Sequence, residues 1–80
     1  MKVYQLNKGD CLMLQDQSCI IAAISRSKSP KNGTYKYHFI GHDSENEKYE
    51  CLVMSNDIVN VVNVEGDKIY QVISENKWIK

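Results

Sequence analysis

The feature that most limits what this chain can become is its punctuation. Short runs of β-branched, aromatic and other apolar residues recur along it, and turn-forming residues separate each run from the next. Asn7-Lys8-Gly9-Asp10 precedes the run Cys11 to Leu14, and Gln15-Asp16-Gln17-Ser18 leads into the continuous apolar stretch Cys19 to Ile24. Pro30 and Asn32-Gly33 mark a hairpin tip, from which Thr34 to Ile40 returns. The polar loop Asp43 to Lys48 opens into Tyr49 to Met54; Ser55-Asn56-Asp57 breaks that strand, and Ile58 to Val64 follows. Glu65-Gly66-Asp67-Lys68 turns again, before Ile69 to Ile73, a turn at Ser74-Glu75-Asn76 and the short piece Lys77 to Lys80. Strands spaced by roughly eight to twelve residues predict an all-β fold, a small barrel or sandwich. A single helical turn fits only at Asn56 to Asn60.

Alternation says which side chains face inward. Tyr35, Tyr37 and Phe39 fall on one face of the return strand, Lys36 and His38 on the other. The three rings are expected to pack on the core rather than to form a base-stacking platform. Trp78 is expected to plug the barrel. Eighty residues make one small domain, burying about 60% of the surface of its unfolded chain. A deep pocket would compete with the core for the same few apolar side chains, so a binding module is favoured over an enzyme, with no catalytic residues and no cofactor.

Charge is balanced overall, with ten basic and ten acidic residues, so whole-molecule attraction to nucleic acid or membrane is absent. Its distribution is uneven. No acid occurs between Asp16 and Asp43, a stretch that contains Arg26, Lys28, Lys31 and Lys36, whereas Asp43 to Glu50 carries four acids and one lysine. The hairpin is therefore a long basic arm with Lys31 at its tip, away from any core. Cys11, Cys19 and Cys51 are an odd count without C-x-x-C spacing and read as free thiols of a reducing compartment, with Cys19 in the core. His38 and His42 would lie roughly 13 Å apart along a strand, too far to share a metal. No stretch is long and apolar enough to span a bilayer, so the expected location is cytoplasmic, without membrane contact.

From Leu6 to about Val64 the sequence resembles the N-terminal, KOW-like domain of translation factor five-A, the hypusine-containing factor of the elongation factor P superfamily. The resemblance is carried by Lys8-Gly9-Asp10, Cys19-Ile20-Ile21, Ser25, Ser27-Lys28-Ser29-Pro30-Lys31-Asn32-Gly33, His38-Phe39-Ile40-Gly41-His42-Asp43 and Lys48-Tyr49-Glu50. It implies a small SH3-like barrel with a long basic hairpin, over residues 1–66, and leaves 67–80 as a C-terminal hairpin or tail packed on the barrel without a complete second domain. Lys31 matches the lysine that the family converts to hypusine, by transfer of an aminobutyl group from spermidine by deoxyhypusine synthase. By the same resemblance, Arg26, Lys28, Pro30, Asn32, Gly33 and Lys36 would contact RNA or a partner.

The implied function is a translation-factor-like module that presents Lys31 to the ribosome and transfer RNA, promoting elongation or initiation. The family carries glycine before the modified lysine and histidine after it, where this chain has Pro30 and Asn32. Proline fixes φ and removes an N–H donor, so a modifying enzyme that engulfs the tip would meet a stiffer loop. Two alternatives stand beside the first reading: a single-domain mimic that binds partners such as deoxyhypusine synthase without modification, and a self-assembling structural derivative. Oligomeric state stays open.

Overall fold

Two consecutive residues with positive φ, Glu65 at 50° and Gly66 at 86°, close a two-residue hairpin of the kind that matches right-handed strand twist. Turns such as this one set the architecture. The computed structural model of the chain describes residues 1–27 and 34–80. A single 3₁₀ turn at Val3–Gln5 precedes the strands β1 (Cys11–Leu14), β2 (Gln17–Arg26), β3 (Lys36–His42), β4 (Lys48–Met54), β5 (Val59–Val64) and β6 (Asp67–Val72). They form one sheet in the order β4-β3-β2-β1-β6-β5. All pairs are antiparallel except β1 with β6, which run parallel from Cys11 opposite Ile69 to Leu14 opposite Val72. The fold is all-β and SH3-like.

Several local expectations shift. The turn expected over Gln15 to Ser18 shortens to Gln15-Asp16, because Gln15 adopts φ 52° and lets Gln17 rejoin the ladder opposite Leu14. The helical turn thought possible at Asn56 to Asn60 is absent: Ile58 bridges Lys2 and β5 begins at Val59, so that backbone is satisfied by pairing. The helical turn lies at Val3–Gln5 instead, where Val3 is buried and Gln5 Oε1 accepts a bond from the Lys2 N–H at 2.8 Å.

One core serves the whole sheet. Leu12 and Leu14 of β1, Cys19 and Ile21 of β2, Phe39 of β3, Cys51 and Val53 of β4, Val59 of β5 and Val72 of β6 are all buried. Val3, Leu6 and Trp78 close it from outside the strands. Trp78 plugs the core at 7% exposure, and its Nε1–H donates to the Leu12 carbonyl at 3.1 Å. Beyond it, Ile79 and Glu50 exchange backbone bonds of 2.8 Å, so the tail extends along β4.

The β2–β3 ladder slips between Ile21 and Ala23, a bulge that increases local bend. Gly41 sits opposite Ile21, and a Cβ there would meet the Ile20 carbonyl oxygen at 2.8 Å, Cys19 Cβ at 3.1 Å and Trp78 Cη2 at 3.2 Å. Neither backbone nor a seated indole yields readily. Gly41→Ala is therefore expected to destabilise the fold by about 1–3 kcal/mol, as overpacking does. Urea midpoints by circular dichroism measure it; an unchanged midpoint would mean that the Trp78 ring is not held against this glycine.

Candidate functional site

The basic arm grows out of the β2–β3 ladder, which continues outward to Arg26 opposite Tyr37. Its base is anchored to the body by a graded row of rings. Phe39 is fully buried, Tyr37 stacks on it with ring centres 6.0 Å apart and planes 9° from parallel, and Tyr35, half-buried, lies one step further out. The Arg26 guanidinium lies over the Tyr35 ring, 4.8 Å from its centre, a cation–π contact that holds the charge at the mouth of the arm. Tyr37 and Phe39 thus pack on the core as alternation predicts, whereas Tyr35, outside β3, is not among the residues packed there and serves as a seat for Arg26.

The two strands are also stitched where they leave the sheet. The Ser27 N–H donates to the Lys36 carbonyl at 3.0 Å, and the Lys36 N–H donates to Ser27 Oγ at 3.3 Å. On the other flank the buried Ser55 accepts a bond from the Tyr35 N–H at 3.1 Å through its hydroxyl. Its own N–H donates to the Tyr35 carbonyl at 2.8 Å, and Asn56 Nδ2 donates to Thr34 Oγ1 at 3.0 Å. Ser55 and Asn56 act as struts that tie Thr34 and Tyr35, at the base of the arm, to the end of β4. Sequence reasoning took them only for strand breakers, because a buried serine carries no local mark distinguishing it from a turn serine.

Of the residues expected to contact RNA or a partner, Arg26 and Lys36 are placed. Both are exposed, and the register puts them on opposite faces of the ribbon: Arg26 with Tyr35 and Tyr37, Lys36 opposite Met54. Lys28, Pro30, Lys31, Asn32 and Gly33 lie outside the described residues. The stem therefore offers cations on both sides, an arrangement suited to phosphate oxygens approached from either face.

Other candidate chemistry is quiet. His38 Nε2 lies 3.3 Å from Glu50 Oε2, and the described residues contain no group of His, Cys, Asp and Glu placed to hold a metal. The three cysteines are free thiols, and burial raises the pKa of each, that of Cys51 to about 12. A thiol held protonated in this way is a poor nucleophile at neutral pH. No helix among the described residues is long and apolar enough to cross a membrane.

Residues 1–57, which include the whole arm, match the family model described as "Translation initiation factor 5A-like, N-terminal". The chain belongs to the translation initiation factor 5A-like family. This family is one of translation factors, so the chain is classed with protein biosynthesis. The factor 5A-like chain is also similar to eukaryotic translation initiation factor 5A of Drosophila melanogaster, with 32% identity over 81 residues covering 99% of this chain and 51% of the relative. It spans about half the length of that relative. No solved structure matches it significantly. The factor 5A-like match takes in Arg26, Lys36, Ser55 and Asn56, the residues that carry and brace the arm.

Proposed function

We propose that this chain presents Lys31 at the tip of the basic hairpin to the ribosome and transfer RNA, in the cytoplasm, and thereby promotes peptide-bond formation. The supporting observation is that the family match runs through position 31 while the stem leading to it is anchored to the core and flanked by Arg26 and Lys36. A lengthened lysine would supply donors for the phosphates and 2′-hydroxyls near the acceptor end of the RNA. Holding that end in place would lower the entropic part of the barrier, and the ribosome would perform the chemistry.

Intact mass of the protein from its native host should show the added aminobutyl group, with or without its hydroxyl, mapped to Lys31. Lys31→Ala should then abolish stimulation of proline-run translation while the stability read by urea titration stays within about 0.5 kcal/mol of the parent, as a hairpin-tip residue without core burial would leave it. Stimulation that survives this change would remove Lys31 from the mechanism.

Pro30 and Asn32 favour a second reading. With a stiff residue before the lysine and no histidine after it, the arm would bind deoxyhypusine synthase without being modified. Unmodified Lys31 together with capture of that enzyme by this chain would select the mimic; failure to capture it would exclude the mimic.

A further inference from the structure

A row of residues crosses the outer face of the sheet. The ladders set Ile69 of β6 opposite Cys11 of β1, Cys11 opposite Ile20 of β2, and Ile20 opposite His42 of β3. All four share the face turned away from the buried Leu12, Cys19 and Val72. Two shallow clefts meet over Cys11 and Ile20 and together form one groove with this row as its floor. Strands β1, β3 and β6 run in the same direction, because β2 is antiparallel to both its neighbours and β6 is parallel to β1. Residues before Cys11 and Ile69 therefore lie at one end of the groove, and those after His42 at the other. Asp10 and Asp67 line the first end, and Asp43 lines the second. The groove is apolar in the middle and acidic at both ends.

The three carboxylates are not neutralised by neighbours. Among the described residues the ion pairs are His38 with Glu50 and Lys80 with Glu47, and neither involves this groove's acids. Lys68 is the one lysine or arginine among the described lining residues, against three acids. Burial is the main cause of the raised pKa of Cys11 and of Cys19, and the charges of Asp67 and Asp43 add to it respectively. The negative field thus reaches the floor from both ends.

We propose that this groove takes an extended segment of a partner protein, with lysine or arginine at the two acidic ends and an apolar side chain over Ile20. Charge complementarity selects this occupant: phosphates would meet three carboxylates, whereas cations are drawn to both ends. The floor adds contact for an apolar side chain, which a bare polycation lacks. Three inter-strand steps of about 4.8 Å carry the groove roughly 14 Å across the sheet. In an extended segment, residues i and i+4 share a face about 13 Å apart, so cations there reach both ends while residue i+2 meets the floor. Arg26 and Lys36 do not line the groove, so this contact is separate from the presentation of Lys31. Its area is far below a standard interface of about 1,600 Å², so the contact is transient.

Amide chemical shifts of the isotopically labelled full chain, titrated with acetylated and amidated Lys-Thr-Val-Thr-Lys, test this. The amides of Cys11, Ile20, Asp43 and Asp67 should move together and saturate, and affinity should fall as salt rises from about 0.05 to 0.5 M. Asp67→Lys, at an exposed strand end, should weaken binding about five- to tenfold. Asp43→Asn keeps an acceptor for the Glu45 and Glu47 N–H groups and should weaken it about two- to threefold. Ile20→Ser should weaken it through the floor alone, with circular dichroism confirming the fold of each variant. No movement of these amides up to about 5 mM peptide would overturn the proposal. Equal affinity for Glu-Thr-Val-Thr-Glu or for a short RNA would also overturn it, as would equal affinity for spermine, which carries charge alone. The same shifts on concentrating the chain without peptide would assign the groove to a second copy and overturn it too.

Discussion

Trp78→Ala is expected to lower stability by about 3–5 kcal/mol, the usual cost of truncating a buried large aromatic side chain. A chain of this length has roughly 4–12 kcal/mol in total, so the variant should lose at least about a quarter of its stability. Two costs combine. The indole reaches the core at 7% exposure, against Gly41, and its removal leaves a void that a bulged backbone cannot fill by moving inward. Its Nε1–H also satisfies the Leu12 carbonyl, which would otherwise be buried without that partner. Trp78→Phe separates the two: it keeps much of the volume and loses the donor, so it should cost about 1–3 kcal/mol. Urea titrations followed by circular dichroism read both variants. A Trp78→Ala protein as stable as the parent would mean that the tail does not close the core, and the Glu50–Ile79 bridge would lose its structural reason.

Much of this design was legible from local chemistry, and the rest was hidden for definable reasons. Gly66 declared a turn because positive φ costs glycine little, but not its extent: Glu65 takes φ 50° although its side chain gives no sign of it, and Asp67 and Lys68, read as turn, already pair in β6. Tyr37 and Phe39 declared their face by alternation with Lys36 and His38. The run Cys19 to Ile24 concealed its bulge, since a continuous apolar strand has no alternation to slip, and only pairing with β3 reveals that Gly41 makes room for it. The parallel pairing of β1 with β6 was equally invisible, because nothing near Cys11 or Ile69 records which distant strand will lie beside it. For the arm, the clustering of four cations between Asp16 and Asp43 was plain in the sequence, and of these the described residues place Arg26 and Lys36. That Arg26 and Lys36 occupy opposite faces, and that Ser55 and Asn56 brace the stem, depends on register and burial.

Above pH 9 the protein is expected to lose stability steeply, and Cys51 should account for much of that loss. Burial is the main cause of its raised pKa; the backbone bond with Phe39 opposes the shift, and the neighbouring Cys19 adds slightly to it. A thiol with pKa about 12 in the folded chain and an ordinary value of 9.0 when unfolded stays protonated in the native state while the unfolded state releases its proton. Below pH 9 both states hold the proton and stability is unaffected. Between pH 9 and 12 the unfolded state binds fewer protons, so each pH unit costs about 1.4 kcal/mol, reaching about 4 kcal/mol across the interval. Cys11 and Cys19 are raised in the same direction and steepen the limb. Urea midpoints from pH 7 to about pH 11 should therefore fall progressively in the parent, while Cys51→Ala, though weaker at pH 7 through lost packing, should show a shallower decline. Equal slopes in the two proteins would mean that solvent reaches the Cys51 thiol in the folded state. The same burial makes Cys51 slow to alkylate until the sheet opens, so its labelling rate at pH 8 should track global unfolding rather than local exposure.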